Sequence, residues 1–354
     1  LLMENKEKIK LGISIGDLNG VGGELILKTF EDSRMLDFCT PVIYASVKTL
    51  SFLKKHFEST LDFNSIQDAD QAVDTKVNVV TVWKDDVQIN FGEEDLKIGS
   101  YAIQSLQASV KDLKNDQIDV LVTAPINKHN IQSDDFKFPG HTDYLSQELK
   151  GDSLMFMVSD DLKVGLLTDH LPVSEVSKHI TPGLIEKKIS IIYNSLIQDF
   201  NIQLPKIAVL GINPHTGDNG VIGSEDDEVL RPALESIKKS GKLVYGPYAA
   251  DSFFGSKNYK NFDAIVATYH DQGLIPFKTL AFGNGVNYTA GLSKVRTSPD
   301  HGTAYEIAGK GVADISSFKE AIFSAISIFR NRNMNQTLTS NPLLKQPKKA
   351  YNKK

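Results

Sequence analysis

The chain has a single cysteine among its 354 residues, so no internal disulfide framework can staple it. With no neighbouring CxxC or histidine, Cys39 reads as a small buried hydrophobe in a reducing compartment. No stretch reaches the eighteen or so uninterrupted apolar residues that a membrane span requires, and Leu1-Leu2-Met3-Glu4-Asn5-Lys6 lacks the apolar run of a signal peptide. These absences predict a cytoplasmic protein with no membrane contact. There is no excess of basic charge either: the formal net charge is -5, which speaks against a nucleic-acid partner.

A further absence concerns nucleotides. The segment Gly12 to Glu24 has a strand, a glycine turn and a helical start, but its glycines do not fall in the GxGxxG register and no Lys-Ser/Thr follows. That excludes a P-loop kinase or ATPase. It leaves the segment as a packing turn or as an unusual nucleotide loop.

What is present is ordinary globular composition, 41% hydrophobic and 23% charged, at a length that suggests two domains. Strand-like runs cover Lys10 to Ile15, Val42 to Ala45, Val77 to Trp83, Ile118 to Thr123, Lys163 to Thr168, Lys206 to Leu210 and Ala264 to Thr268. Helical spacing links Ala102, Leu106, Val110 and Leu113. It also links Ile185, Ile189, Ile192 and Leu196, behind a Thr181-Pro182 start. This alternation predicts an α/β fold with a largely parallel sheet. From Asn331 onward the chain turns polar and ends Lys-rich, which predicts a solvated tail.

Three of the strand-like runs each lead into a histidine: His170, His215 and His270. In open α/β sheets ligands gather beyond the carboxyl ends of strands. Three neutral imidazoles meeting there would hold a divalent ion and leave positions open for substrate. His56 and His179, which follow no such run, are expected to be solvated. A polar, glycine-rich stretch from His270 to His301 contains Lys278, Asn287 and Arg296, and reads as loops around an anionic ligand. The order Gly140-His141-Thr142-Asp143 before Tyr144-Leu145 reads as a loop entering a helix. His141 and Thr142 there would contact an anion, or Thr142 would simply cap the helix. Asp251, and Asp271 beside His270, are candidates for orienting a ligand histidine or relaying a proton.

Five segments together resemble the 4-hydroxythreonine-4-phosphate dehydrogenase family: Thr123-Ala124-Pro125-Ile126-Asn127-Lys128, Phe138-Pro139-Gly140-His141-Thr142-Asp143, Asn213-Pro214-His215-Thr216-Gly217, Tyr269-His270-Asp271-Gln272-Gly273 and Arg296 to Ala304. The resemblance runs from Gly12 to about Gly311. It departs at Leu18-Asn19, Gly23 and Asp218, none of them a proposed contact.

The resemblance implies two α/β/α lobes around a cleft, like isocitrate and isopropylmalate dehydrogenases and unlike a standard Rossmann fold. Residues 1–135 and 307–354 would form one lobe, and residues 136–306 the lobe carrying the site. It implies His170, His215 and His270 as ligands of a zinc, magnesium or cobalt ion, and His141, Thr142, Lys278, Asn287 and Arg296 as substrate contacts. Asp251, Asp271 and Lys278 stand as catalytic candidates. It further implies a homodimer with the site at the subunit interface and His270 supplied by the neighbouring chain.

The expected reaction is oxidation of 4-phosphohydroxy-L-threonine by NAD or NADP, with loss of CO2 to give 3-amino-2-oxopropyl phosphate for pyridoxal 5'-phosphate (vitamin B6) synthesis. Phosphorylated threonate or erythronate is an alternative substrate. A metal-dependent hydrolase or lyase without NAD is an alternative class.

Overall fold

A computed structural model describes residues 8–134, 136–138 and 140–341. Pro139 and the Lys-rich end of the chain lie outside the described residues. Twelve strands form one sheet. In chain order they are β1 (Ile9–Ser14), β2 (Cys39–Ala45), β3 (Phe63–Ile66), β4 (Val77–Thr81), β5 (Val120–Thr123), β6 (Gly151–Val158), β7 (Lys163–Leu166), β8 (Lys206–Leu210), β9 (Leu243–Tyr248), β10 (Ala264–Ala267), β11 (Val286–Leu292) and β12 (Val295–Pro299). Across the sheet they run β3-β4-β2-β1-β5-β12-β11-β6-β7-β10-β8-β9.

Neighbours from β3 to β12 pair in parallel, and so do those from β7 to β9. Between these blocks, β12, β11, β6 and β7 pair antiparallel in three successive steps. An odd number of reversals makes the two parallel blocks run in opposite directions. The fold is therefore α/β with parallel flanks and an antiparallel centre.

All seven strand-like runs form strands. The sequence did not reveal β3, β6, β9, β11 or β12. Segments expected to be loops between His270 and His301 are instead the helix His270–Leu280 followed by β11 and β12. Their polar residues alternate with apolar ones because successive side chains point to opposite faces of a strand. The polar set faces a cavity.

The helix Leu96–Lys114 starts where Asp95 accepts a hydrogen bond from the Lys97 amide, and it buries Ala102, Leu106, Val110 and Leu113. The helix Pro182–Gln198 has Thr181 as its cap and Pro182 in its first turn, burying Ile185, Ile189, Ile192 and Leu196. Both pack on the sheet as their spacing predicts. A tail solvated from Asn331 onward, by contrast, is not what the described residues show. A helix Ser316–Thr339 carries the chain past Asn331, and Arg332 on it is buried. Among the described residues no helix is long and apolar enough to cross a membrane. Cys39 is fully buried, and burial pushes its thiol up to about 12, so it is unreactive filler.

The N-terminal glycine turn resolves as a packing device. Gly16 has φ of +72°, and a Cβ there would sit 2.3 Å from the Pro125 carbonyl oxygen. The turn is buried against the loops at Pro125 and Thr303, with the amides of Asp17 and Val21 bonded to their carbonyls. These two amides are therefore turned toward protein.

Candidate active site

A cavity of about 270 Å³ opens over the antiparallel centre of the sheet. Its floor is built from alternate residues of three strands: Met155 and Met157 of β6, Asn287 of β11, and Arg296 and Ser298 of β12. Its walls are the segment after β5 (Thr123 to Lys128), the start of the helix His141–Glu148, His170 after β7, and the helix that begins at His270. Loops from oppositely running parallel blocks thus meet above one face, rather than along a single carboxyl edge.

Arg296 is 2% exposed. Its guanidinium donates to Thr123 Oγ1 at 3.1 and 2.5 Å, to Thr289 Oγ1 at 3.1 Å and to His141 Nδ1 at 3.1 Å. Among the described residues no carboxylate pairs with it. Burial alone holds its pKa down to about 9, against the usual value above 12. A buried, unpaired cation is costly in a folded protein, and an anion arriving in the cavity would supply the missing charge.

His141 extends the same arrangement. Accepting from Arg296 at Nδ1 places its proton on Nε2, and that atom is buried with no partner. Burial first, then Arg296 and Lys128, keep this imidazole neutral, with its pKa well below the usual range. The buried amide oxygen of Asn287 also lacks a partner, an atom whose position can equally present the amide nitrogen. Orphaned buried polar atoms are rare in native proteins, and these two face one space. Gly140 occupies the cap position of the helix His141–Glu148. Thr142 lies inside that helix and lines the cavity, so the capping role considered for it does not hold. Lys278, two turns along the helix from His270, lines the same cavity and donates to the Asp300 carbonyl oxygen at 3.1 Å.

Of the three candidate metal histidines, two meet. The rings of His170 and His270 lie 6.0 Å apart within one chain, at the cavity wall. Burial and then Lys128 lower the pKa of His170, so it presents the neutral imidazole that a cation needs. His270 Nδ1 lies 2.7 Å from Asp271 Oδ1, a contact that leaves Nε2 unused by this pair.

His215 is apart from them. It is exposed and does not line the cavity. It sits in a turn with φ of +52°, held from behind by Asp226, whose carboxylate accepts from the amides of Ile212 and Asn213. Among the described residues no group of three His, Cys, Asp or Glu side chains is placed to hold a metal. Within the chain, His270 lies beside His170, and His215 lies outside the cavity. Asp251 is likewise exposed, at the start of the short helix Ala250–Gly255, outside the cavity. His56 and His179 are exposed as expected.

Sequence reasoning missed Thr123, Thr289, Met155 and Met157 as parts of the site and gave Lys128 no role. Thr123 and Lys128 could have been found by the rule that found the histidines, since they end and follow a strand. Nothing in the sequence marked β6.

A profile of the family described as "Pyridoxal phosphate biosynthetic protein PdxA" matches residues 37–325. The chain belongs to the PdxA family. It is 48% identical over 343 residues to the 4-hydroxythreonine-4-phosphate dehydrogenase of Bacteroides thetaiotaomicron, covering 96% of this chain and 94% of that one. It is 36% identical over 317 residues to the D-threonate 4-phosphate dehydrogenase of Cupriavidus necator, covering 88% and 95%. The crystal structure of a 4-hydroxythreonine-4-phosphate dehydrogenase from Burkholderia phymatum superposes with a TM-score of 0.75 at 33% identity, covering 91% of this chain and 99% of that one. As a PdxA family member whose relatives are dehydrogenases, the chain is an oxidoreductase.

Proposed function

We propose that this PdxA family member oxidises 4-phosphohydroxy-L-threonine at its C3 hydroxyl with NAD or NADP. The resulting 3-keto acid loses CO2 to give 3-amino-2-oxopropyl phosphate for pyridoxal 5'-phosphate synthesis in the cytoplasm. The observation that carries the reading is Arg296, a buried guanidinium with no carboxylate partner among the described residues, flanked by the unpartnered atoms of His141 and Asn287. Together with Thr142 and Lys278 they form a pocket for the phosphate, each charged hydrogen bond contributing about 1.5–3 kcal/mol.

His170 and His270 would hold a divalent ion of the zinc, magnesium or cobalt kind, with Asp271 fixing the His270 ring. Two imidazoles on one wall suit such an ion, and a third ligand would come from His215 of a second copy of this chain. Supporting this homodimer, Val221 beside the His215 turn is 82% exposed, and Phe282 just beyond the His270 helix is 89% exposed. When bound, the ion supplies Lewis-acid polarisation of the substrate oxygens for both oxidation and CO2 loss. A nicotinamide dinucleotide supplies the two-electron acceptor. The protein's own part is to seat the phosphate, orient the hydroxyl toward the histidine wall and keep His141 and His170 neutral. Of the catalytic candidates, Lys278 and Asp271 stand at the site, and Asp251 would reach it only from the second copy.

The cavity takes Thr123 to Lys128 from residues 1–135 and the rest of its lining from residues 136–306. Treating these as two lobes that close on the substrate, with residues 307–354 joining the first, belongs to the same proposal. The deciding assay follows NADH formation from 4-phosphohydroxy-L-threonine, before and after chelation and metal replenishment. Metal-restored turnover is the expected result. Absence of turnover with the metal-replete enzyme defeats the proposal. The similarity to the Cupriavidus necator enzyme favours D-threonate 4-phosphate as the second substrate to test, and faster turnover with it would reassign the substrate.

A further inference from the structure

The cavity has two cationic poles. At one, Arg296 and His141 are hydrogen-bonded to each other. At the other, Lys128 Nζ lies 3.4 Å from His170 Nε2. Lys128 extends from the segment that leaves β5, lines the cavity, and among the described residues has no carboxylate at ion-pair distance. The other lysine of the cavity, Lys278, is engaged by the Asp300 carbonyl. An ammonium group carries three donors, so contact with one imidazole nitrogen leaves two for a ligand.

The proposed substrate has two anionic ends. Its phosphate is on C4, its carboxylate is C1, and the reacting hydroxyl on C3 lies between them. If the Arg296 pole seats the phosphate, the hydroxyl falls toward the histidine wall, and the carboxylate falls beside it. The geometry points to Lys128 as the partner of that carboxylate, and so as the residue that makes the site select a phosphorylated acid over a phosphorylated alcohol. This inference rests on the proposed function, and it deepens it by assigning the second anionic group to a second pole. Lys128 also lowers the pKa of both His141 and His170, so its positive charge is felt across the cavity. A bound carboxylate would temper that field at the histidine wall.

The test uses the full-length, metal-replete protein and the variants Lys128→Met and Lys128→Arg. Calorimetry would measure Kd for three ligands: 4-phosphohydroxy-L-threonine, its counterpart lacking the carboxylate (3-amino-2-hydroxypropyl phosphate), and inorganic phosphate. Lys128→Met is expected to weaken the acid by about 10- to 100-fold, the range of one charged hydrogen bond. The other two ligands are expected to stay within about twofold of wild type, the scatter allowed for one uncharged contact. Lys128→Arg should recover part of the loss, because the charge is kept while its geometry changes. Equal weakening of all three ligands would overturn the inference by placing Lys128 at the phosphate pole or in the scaffold, and unchanged binding of the acid would overturn it too. Failure of the wild-type protein to oxidise the acid counts instead against the proposed function, which the wild-type control reads separately.

Discussion

Two arginines are buried on opposite faces of the same two strands, and their surroundings differ in one respect. Behind the sheet, Arg332 of the helix Ser316–Thr339 donates to Asp199 Oδ1 at 2.6 Å and to the Tyr288 hydroxyl at 2.7 Å. Tyr288 and Ser195 both donate to the other oxygen of Asp199. That cluster is closed: the carboxylate and the guanidinium satisfy each other. In front, Arg296 has hydroxyls and an imidazole but, among the described residues, no carboxylate. Tyr288 sits between Asn287 and Thr289 in β11, and Thr297 sits between Arg296 and Ser298 in β12, so the pleat sends one set to each cluster. A buried charge that the protein neutralises itself holds the fold together, whereas one left open is held for a ligand.

The largest expected effect breaks the closed cluster. Arg332→Met leaves the Asp199 carboxylate buried and uncompensated, and should destabilise the fold by about 3–5 kcal/mol, read as a lower midpoint in urea or thermal unfolding. Arg296→Met should shift that midpoint by less than about 1 kcal/mol in either direction, because it removes a charge the folded state already holds at a cost. Similar losses from both variants would erase the distinction.

Next in size is ligand affinity. Arg296→Met should weaken inorganic phosphate by about 10- to 100-fold in calorimetry. A conservative loss behind the sheet, Ser195→Ala, should leave phosphate affinity unchanged. Asp271→Asn is the third expectation. It should lower metal affinity by about tenfold, the smaller end of the effect of removing a partner from a ligand histidine, measured by competition with a chelator.

The smallest effect is one of pH. Burial holds the Arg296 guanidinium down at about 9, below its unfolded value, so the cation that attracts phosphate is complete only well below pH 9 and is lost as pH rises through it. Phosphate affinity should therefore fall above about pH 9, and the fall should vanish in Arg296→Met. An affinity that holds flat to pH 10 would show that Arg296 has a counterion in solution.

The parts of the site legible in the sequence were those that end a buried strand. His170 and His270 follow short apolar runs whose direction is evident, and Arg296, Asn287 and Lys278 stood out as charged or amide groups in a polar, glycine-rich stretch. The strands β11 and β12 were hidden for the same reason that they matter. One face of each is polar because it floors the cavity, so the residues read as loop. Lys128 was visible only as part of a motif, since a lysine after a strand has no feature that separates it from a solvated one.

By itself the sequence determined the α/β class, the seven apolar strands, the helix start at Thr181, and the family, because these follow from local periodicity, capping and residue identity. Only the tertiary structure decided that His170 and His270 meet while His215 faces away, that the N-terminal glycines serve packing, and that one buried arginine is paired and the other is not. Those outcomes depend on which side chains converge from distant segments, and whether a charge finds its partner across a folded sheet leaves no mark in the local order of residues.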